Sequence, residues 1–275
     1  IYYDLSDDDN ESKQVSVKAS DDDGVTWDLP CYSLNGDVGS GITLGTNKHI
    51  VWNFYSDNPD QSGSQYKVRV IASEVGTMTG NDSKVYRTVK IGSQWWMAGN
   101  LMETQYRNGD AVPNIESNIT WENLTTGARC AYNNSEATAD TYGYLYNWYA
   151  VGDSRNLAPS GWHIPSDAEW TTLTTYLGGE STAGGKLKET GISHWTSPNT
   201  GATDEFYFTA LPGGMRFGQG GSPFMNLGIV CYFWSSTQSG SSSAWYRYLY
   251  YSNSAVSRQN NYQKKFGFSV RLVKN

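Results

Sequence analysis

Cysteine is nearly missing from this chain: three in 275 residues, at Cys31, Cys130 and Cys231. Thiols this few and this scattered make neither a disulfide framework nor a zinc site. Cys130 and Cys231 allow one bridge at most, or are simply buried small residues. Cations are scarce too. Twenty Lys and Arg stand against 27 Asp and Glu, a net charge of −7. No nucleic-acid partner is expected, because phosphate contacts need clustered Lys and Arg. No apolar run approaches the roughly 18 residues that span a bilayer, so no membrane span is expected. HExxH, a phosphate-binding GxxxxGK[ST] loop and a hydrolase-type order of Ser, His and Asp are all missing. No catalytic residue, metal, cofactor or enzyme activity is therefore expected. No coiled-coil heptad enforces an oligomer. The chain opens at Ile1 without Met, so a processed product is expected, with any secretory signal already removed.

What is present is aromatic and small polar. The chain holds 20 Tyr, 11 Trp and 29 Gly but is only 17% charged, a β-rich and loop-rich composition. The aromatics concentrate near the C-terminus. Tyr232 to Tyr262 reads YFWSSTQSGSSSAWYRYLYYSNSAVSRQNNY, in which 18 of 31 residues are Tyr, Ser or Asn. A buried core tolerates that mixture poorly, since each hydroxyl and amide would need a partner. Antibody binding loops use it: Tyr and Trp give large contact area at low entropic cost, and Ser and Asn give adaptable hydrogen bonds. The stretch reads as a surface made to bind, or as an ordinary polar sheet face, since Tyr also favours strands.

Residues 1–75 read as a small all-β, immunoglobulin-like sandwich. Strands are expected at VSVKAS (15–20), at Val25-Thr26-Trp27 after an Asp23-Gly24 turn, at HIVWNFY (49–55) and at YKVRVIAS (66–73). NGDVGSGITLGTNK (35–48) reads as a connecting loop. Residues 76–84 read as a linker, and residues 85–275 as a larger second domain. Two helices are expected there. One lies in TYGYLYNWYAVG (141–152), with Tyr144, Leu145, Trp148 and Val151 on one face. The other begins at Ser166, where Glu169 completes a capping box and Trp170, Leu173 and Leu177 form the stripe before Gly178-Gly179. GFSVRLVKN (267–275) alternates and is expected to close the domain as a strand. The fold class is α+β.

Seven ordered motifs run through that second domain: IGSQWWMAGNL (91–101), GYLYNWYAV (143–151), GWHIPSDAEW (161–170), LPGGMR (211–216), FWSST (233–237), AWYRYL (244–249) and GFSVRLV (267–273). Together they resemble the Fibrobacter succinogenes major paralogous domain family over about residues 85–275. The resemblance implies a C-type-lectin-like fold, shared with the formylglycine-generating enzymes and with the variable proteins of diversity-generating retroelements. In those variable proteins a C-terminal segment is hypermutated at adenine positions, and the altered residues share one exposed face. The tail here fits in position and composition, and an unvaried family member remains the alternative. The lectin calcium motifs Glu-Pro-Asn and Trp-Asn-Asp are absent, so calcium-dependent sugar recognition is not implied. The formylglycine-generating relatives use a reactive cysteine pair, for which Cys130 and Cys231 are the only possible members here.

Several conspicuous residues read as scaffold. His163 is expected as a hydrogen-bonded core residue, and Trp95, Trp96, Trp148 and Trp170 as core. Gly213-Gly214 is expected as a tight turn, and Arg216, Arg247 and Arg271 as partners of buried carboxylates. The clusters Asp7-Asp8-Asp9 and Asp21-Asp22-Asp23 lack calcium-loop spacing. The expected contact face is Tyr232, Trp234, Gln238, Ser241, Ser243, Tyr248, Tyr250, Asn253, Ser257, Gln259, Asn260 and Tyr262, with Tyr232, Trp234, Tyr250 and Tyr262 as anchors. Trp245, Phe268, Val270 and Leu272 are expected to point inward. A protein or surface-glycan ligand is expected, for a protein located outside the cell, on a cell surface or phage virion. A fixed-specificity envelope protein is the alternative.

Overall fold

The computed structural model describes residues 1–8, 11–27, 29–218 and 222–275; Asp9 of the first acidic cluster lies outside them. The chain divides into two compact units, Ile1–Val75 and Gly76–Asn275.

The first unit contains β1 (Tyr2–Leu5), β2 (Lys13–Ser20), β3 (Leu34–Gly36), β4 (Gly39–Ile42), β5 (Gly45–Trp52), a short helix α1 (Phe54–Asp57) and β6 (Lys67–Ser73). They form two three-stranded sheets, β1-β5-β3 and β4-β2-β6, with every pairing antiparallel. Strand β2 shows why the period-two pattern works: Val15, Val17 and Ala19 are buried, and the two valines meet Leu5 and Ile50 in a shared core. Lys13 shares that inner row and is neutralised by Asp7 at 2.5 Å.

Three expectations fail in this unit. Val25-Thr26-Trp27 is not a strand. The Asp22 carboxylate accepts from the Thr26 amide and hydroxyl, curling the chain into a side-chain-held turn. The glycine-rich stretch 35–48 is more than loop, because it supplies β4 and parts of β3 and β5. The strand over 49–55 stops at Trp52, where the Asn53 side chain accepts from the Ser56 amide and caps α1.

The second unit begins with a hairpin, β7 (Val75–Thr79) and β8 (Val85–Ile91), followed by β9 (Gln94–Met97). The expected linker is thus strand and turn. Gly80 donates to Lys84 and Ser83 donates to Gly80 across its tip. Next come α2 (Asn118–Glu122), β10 (Arg129–Cys130), α3 (Glu136–Tyr142), β11 (Leu145–Tyr146), α4 (Trp148–Val151) and β12 (Trp162–His163). Then α5 (Asp167–Tyr176) and α6 (Glu180–Leu187) precede β13 (Gly213–Arg216), β14 (Phe224–Leu227), β15 (Val230–Gln238), β16 (Ala244–Tyr250), β17 (Val256–Gln259) and β18 (Val273–Lys274). Two five-stranded sheets result, β12-β18-β9-β8-β7 and β14-β13-β15-β16-β17, with a small β10-β11 pair. The unit is mainly β with helices.

Helix α5 carries the expected capping box: Ser166 Oγ accepts from the Glu169 amide, and the Glu169 carboxylate accepts from the Ser166 amide. The helix expected over 141–152 is instead broken. Gly143 stands at φ 75° with its α-carbon so near Asn100 that a Cβ would lie 2.6 Å from that residue's own. Helix α3 therefore ends, Leu145–Tyr146 pairs with β10, and α4 restarts under an Asn147 cap. Among the described residues this unit holds five α-helices rather than two. One of the unexpected ones, α6, contains Gly184, where a Cβ would sit 2.3 Å from the Ala255 carbonyl oxygen. The glycine lets the helix lie against the chain just before β17. Gly213-Gly214 forms the start of β13, not a turn.

The closing segment is also different. Phe266 to Val273 is buried at every position, and only β18 belongs to a ladder. The Met97 and Leu101 amides donate to Leu272 and Val270, while the Trp234 and Tyr146 amides donate to Ser269 and Phe268. A chain bonded on both sides cannot alternate between core and solvent. Arg271 is buried within it. Its guanidinium stacks on Phe208 at 4.4 Å and donates to Asn100 and to the carbonyls of Met97, Phe208 and Thr209. Arg216 is held similarly by the Ile115 and Glu116 carbonyls. The carboxylate partners expected for these two arginines are replaced by carbonyl and amide oxygens. Arg247 does have its carboxylate, Asp167 at 2.7 Å.

Candidate ligand-binding site

Strands β15, β16 and β17 pair antiparallel with Val230 opposite Tyr250, Tyr232 opposite Tyr248 and Trp234 opposite Tyr246. Tyr246 also faces Gln259, and Tyr248 faces Ser257. Directly opposed residues share a face, so this register gathers the tyrosines on one side of the sheet. Ring centroids of Tyr232 and Tyr248 lie 5.9 Å apart, and those of Tyr246 and Tyr262 5.1 Å apart. Such pairs add roughly 0.5–1.5 kcal/mol each beyond burial.

The opposite face is sealed. Phe233 stacks on Trp170 of α5 at 5.3 Å. Arg247, fully buried, donates to Asp167 at the start of the same helix. Arg258 joins from β17 with a contact of 2.7 Å to the second Asp167 oxygen and lies over the Trp245 ring at 3.8 Å. Burial raises the Asp167 carboxyl, but the two guanidinium groups outweigh it and hold the carboxyl below its usual value.

The tyrosine face is left open as a bowl of about 610 Å³, lined by Asn226, Ile229, Val230, Tyr232, Tyr246, Tyr248, Tyr250, Asn253, Gln259, Asn261 and Tyr262. Phe268 stacks under Tyr232 at 4.9 Å and 16°, and Phe266 stacks under Tyr262 at 4.6 Å. Burial pushes the Tyr232 and Tyr246 hydroxyls up, and neighbouring tyrosines push them further, so both stay neutral. The rim is anchored from behind by Lys188. Its buried ammonium donates to the carbonyls of Thr200, Tyr250 and Asn253 at 3.0 to 3.2 Å, and burial lowers its pKa to about 8.

Of the twelve residues expected on the contact face, Tyr232, Tyr248, Tyr250, Asn253, Gln259 and Tyr262 line this bowl. Trp234 does not serve as an anchor. It is fully buried, covered by Phe268 at 4.3 Å, and donates its indole N–H to Tyr146 O. Its parity was right, but the closing segment lies over it. Gln238, Ser241, Ser243 and Asn260 fall at the β15–β16 hairpin end instead. There Lys264 donates to Gln238 Oε1 and Ser241 O, and Ser239 Oγ bonds Ser243 and Asn260. Ser257 is half-buried on β17. Trp245 is half-buried beneath Arg258 rather than fully inward, whereas Phe268, Val270 and Leu272 are fully buried. Tyr246 belongs to the bowl and was missed, although it shares the parity of Tyr248 and Tyr250. Asn226 comes from β14, and Ile229 and Asn261 from segments beside β15 and β17, none of them marked by the alternation of the tail.

The remaining candidates are structural. His163 is half-buried, not core, between Glu169 and Asn275 at 2.7 Å each. Trp95 is half-buried, while Trp96, Trp148 and Trp170 are buried. Cys130 and Cys231 are free, buried thiols, and burial raises Cys130 to about 11 and Cys231 higher still. Among the described residues no His, Cys, Asp and Glu cluster could hold a metal, and no helix is long and apolar enough to cross a membrane.

A mainly β unit, helices on one side of its second sheet and an open tyrosine bowl on the other, defines the architecture. Residues 89–274 match the Fibrobacter succinogenes major domain, and the chain belongs to that family. No curated protein and no solved structure matches it.

Proposed function

We propose that this is a ligand-binding surface protein whose contact site is the tyrosine bowl. In this reading the second unit is a C-type-lectin-like domain and the first an immunoglobulin-like spacer. The protein works outside the cell, on a cell surface or phage virion, and its ligand is a protein or a surface glycan. The observation that supports this most is the bowl itself: four tyrosines on the adjacent strands β15 and β16, joined by Tyr262 beyond β17, line one open concavity. Aromatic side chains in a concavity are the usual anchors of binding energy. Replacing Tyr248 and Tyr250 together by Ala tests it. Both are only half-buried, so folding is expected to survive while capture of target cells or of an arrayed ligand is lost. Unchanged capture by the folded double variant contradicts the reading.

The segment also suits a retroelement-diversified protein. Lys188 and Lys264 hold the bowl rim and the hairpin end chiefly through main-chain carbonyls, and carbonyls do not change when side chains do. Sequences of this segment from related isolates should then vary at Tyr232, Tyr248, Tyr250, Asn253 and Gln259, with Cys231, Phe233 and Leu249 fixed. A uniform segment leaves a fixed-specificity adhesive protein. Formylglycine-type chemistry is not proposed, because it needs a reactive thiol and both candidates are buried with raised pKa values.

A further inference from the structure

The bowl carries no formal charge. No Asp, Glu, Lys, Arg or His lines it. Lys188, the buried cation behind the rim, has its ammonium turned to three carbonyls. An anionic ligand would therefore lose its hydration and meet no counter-charge. The polar groups are also preset. Asn226 Nδ2 donates to the Tyr232 hydroxyl at 3.0 Å, which leaves that hydroxyl as a donor and Asn226 Oδ1 as an acceptor. The Tyr246 hydroxyl donates to Asn261 Oδ1 at 2.8 Å, which leaves the Asn261 amide N–H groups as donors. Gln259 and Asn253 add further amides.

From this geometry we infer that the bowl takes a neutral saccharide, stacked by its C–H face on tyrosine rings and bonded through its hydroxyls to the side-chain amides. The inference rests on the binding role proposed above and names the ligand class for it. Each sugar hydroxyl both donates and accepts, matching a wall that offers both. A quaternary ammonium would satisfy the rings by cation–π attraction but leave the amides desolvated and unpaired, which is costly. A flat protein surface is a poorer fit to a cleft of about 610 Å³, which lies in the range of small-ligand sites.

The test is a panel of immobilised neutral oligosaccharides containing glucose, galactose, mannose or N-acetylglucosamine, beside sialylated and sulfated oligosaccharides, choline and whole target-cell proteins. The full chain is used, at low and at high salt. At least one neutral oligosaccharide is expected to bind, with affinity changing less than about twofold with salt, since no ion pair is made. Asn261→Ala and Tyr248→Ala should each weaken it about tenfold or more, with near-ultraviolet dichroism unchanged. Binding only to anionic sugars or to choline overturns the inference. Protein capture that is lost in Tyr248→Ala, with no saccharide bound, also overturns it but leaves the bowl as a binding site. Ligand capture that no bowl substitution weakens defeats both readings, and a panel with no saccharide binder counts against this one.

Discussion

The two faces of the β15–β16–β17 sheet are built from alternate residues of the same strands, yet one is closed and the other open. On the closed face Phe233, Arg247 and Leu249 are fully buried, and Asp167 ties two strands to α5 through Arg247 and Arg258. On the open face Tyr232, Tyr246, Tyr248 and Tyr250 surround a cavity. The closed face fixes the backbone, so the open face is free to carry side chains chosen for contact. On the proposed reading, stability and ligand contact are thus assigned to opposite faces by a single-residue alternation.

Substitutions should expose that separation. The largest effect is expected on the closed face. Arg247→Met leaves Asp167 with Arg258 alone and removes the buried bonds to Asp167 O and Thr171 Oγ1, and should cost about 2–3 kcal/mol of unfolding free energy, read by urea denaturation. A loss below about 1 kcal/mol would mean that helix packing alone seals this face. Next is Lys188→Met, which removes three charge-assisted bonds to the Thr200, Tyr250 and Asn253 carbonyls. It should cost about 1–3 kcal/mol and also weaken ligand binding, because two of those carbonyls belong to bowl residues. A variant that loses stability but binds normally would show that the rim needs no anchor. Tyr248→Ala should reverse the ratio, with stability falling by about 1 kcal/mol or less and binding falling by about 2 kcal/mol.

A separate test lies in pH dependence. Asp167 has a depressed folded pKa, so its stabilising share is complete above the unfolded value near 4 and is lost as the pH falls through the lower folded one. Lys188 behaves in the opposite sense to a paired cation. Its folded pKa of about 8 lies below the 10.5 of an exposed lysine, so between them the unfolded chain binds more protons. This group's contribution to stability should rise from pH 8 to 10.5. Unfolding curves of the parent and of Lys188→Met across that range would isolate it, and parallel curves would refute it.

How much of this was legible in the sequence depended on how local each signal was. The α5 capping box lies within four residues and was readable, as was the parity that places Tyr232, Tyr248 and Tyr250 together. The break at Gly143 was not readable, because it arises from the approach of Asn100, distant in sequence. Helix α6 was hidden by Gly184 and Gly185, which weaken helix propensity yet admit the chain beside them. Trp234 was misplaced because the cover over it, Phe268, comes from the closing segment. The bowl needed Asn226 of β14 and Asn261 after β17, which only the fold brings to the tyrosines.

The most direct measurement is a carbon-13 spectrum of tyrosine-ring-labelled protein, titrated with whichever panel member the parent captures. Shifts confined to Tyr232, Tyr246, Tyr248, Tyr250 and Tyr262, with Tyr2 and Tyr55 of the first unit unmoved, are the expected result. Shifts that spare those five rings while the ligand is bound would contradict the assignment of the bowl as the binding site.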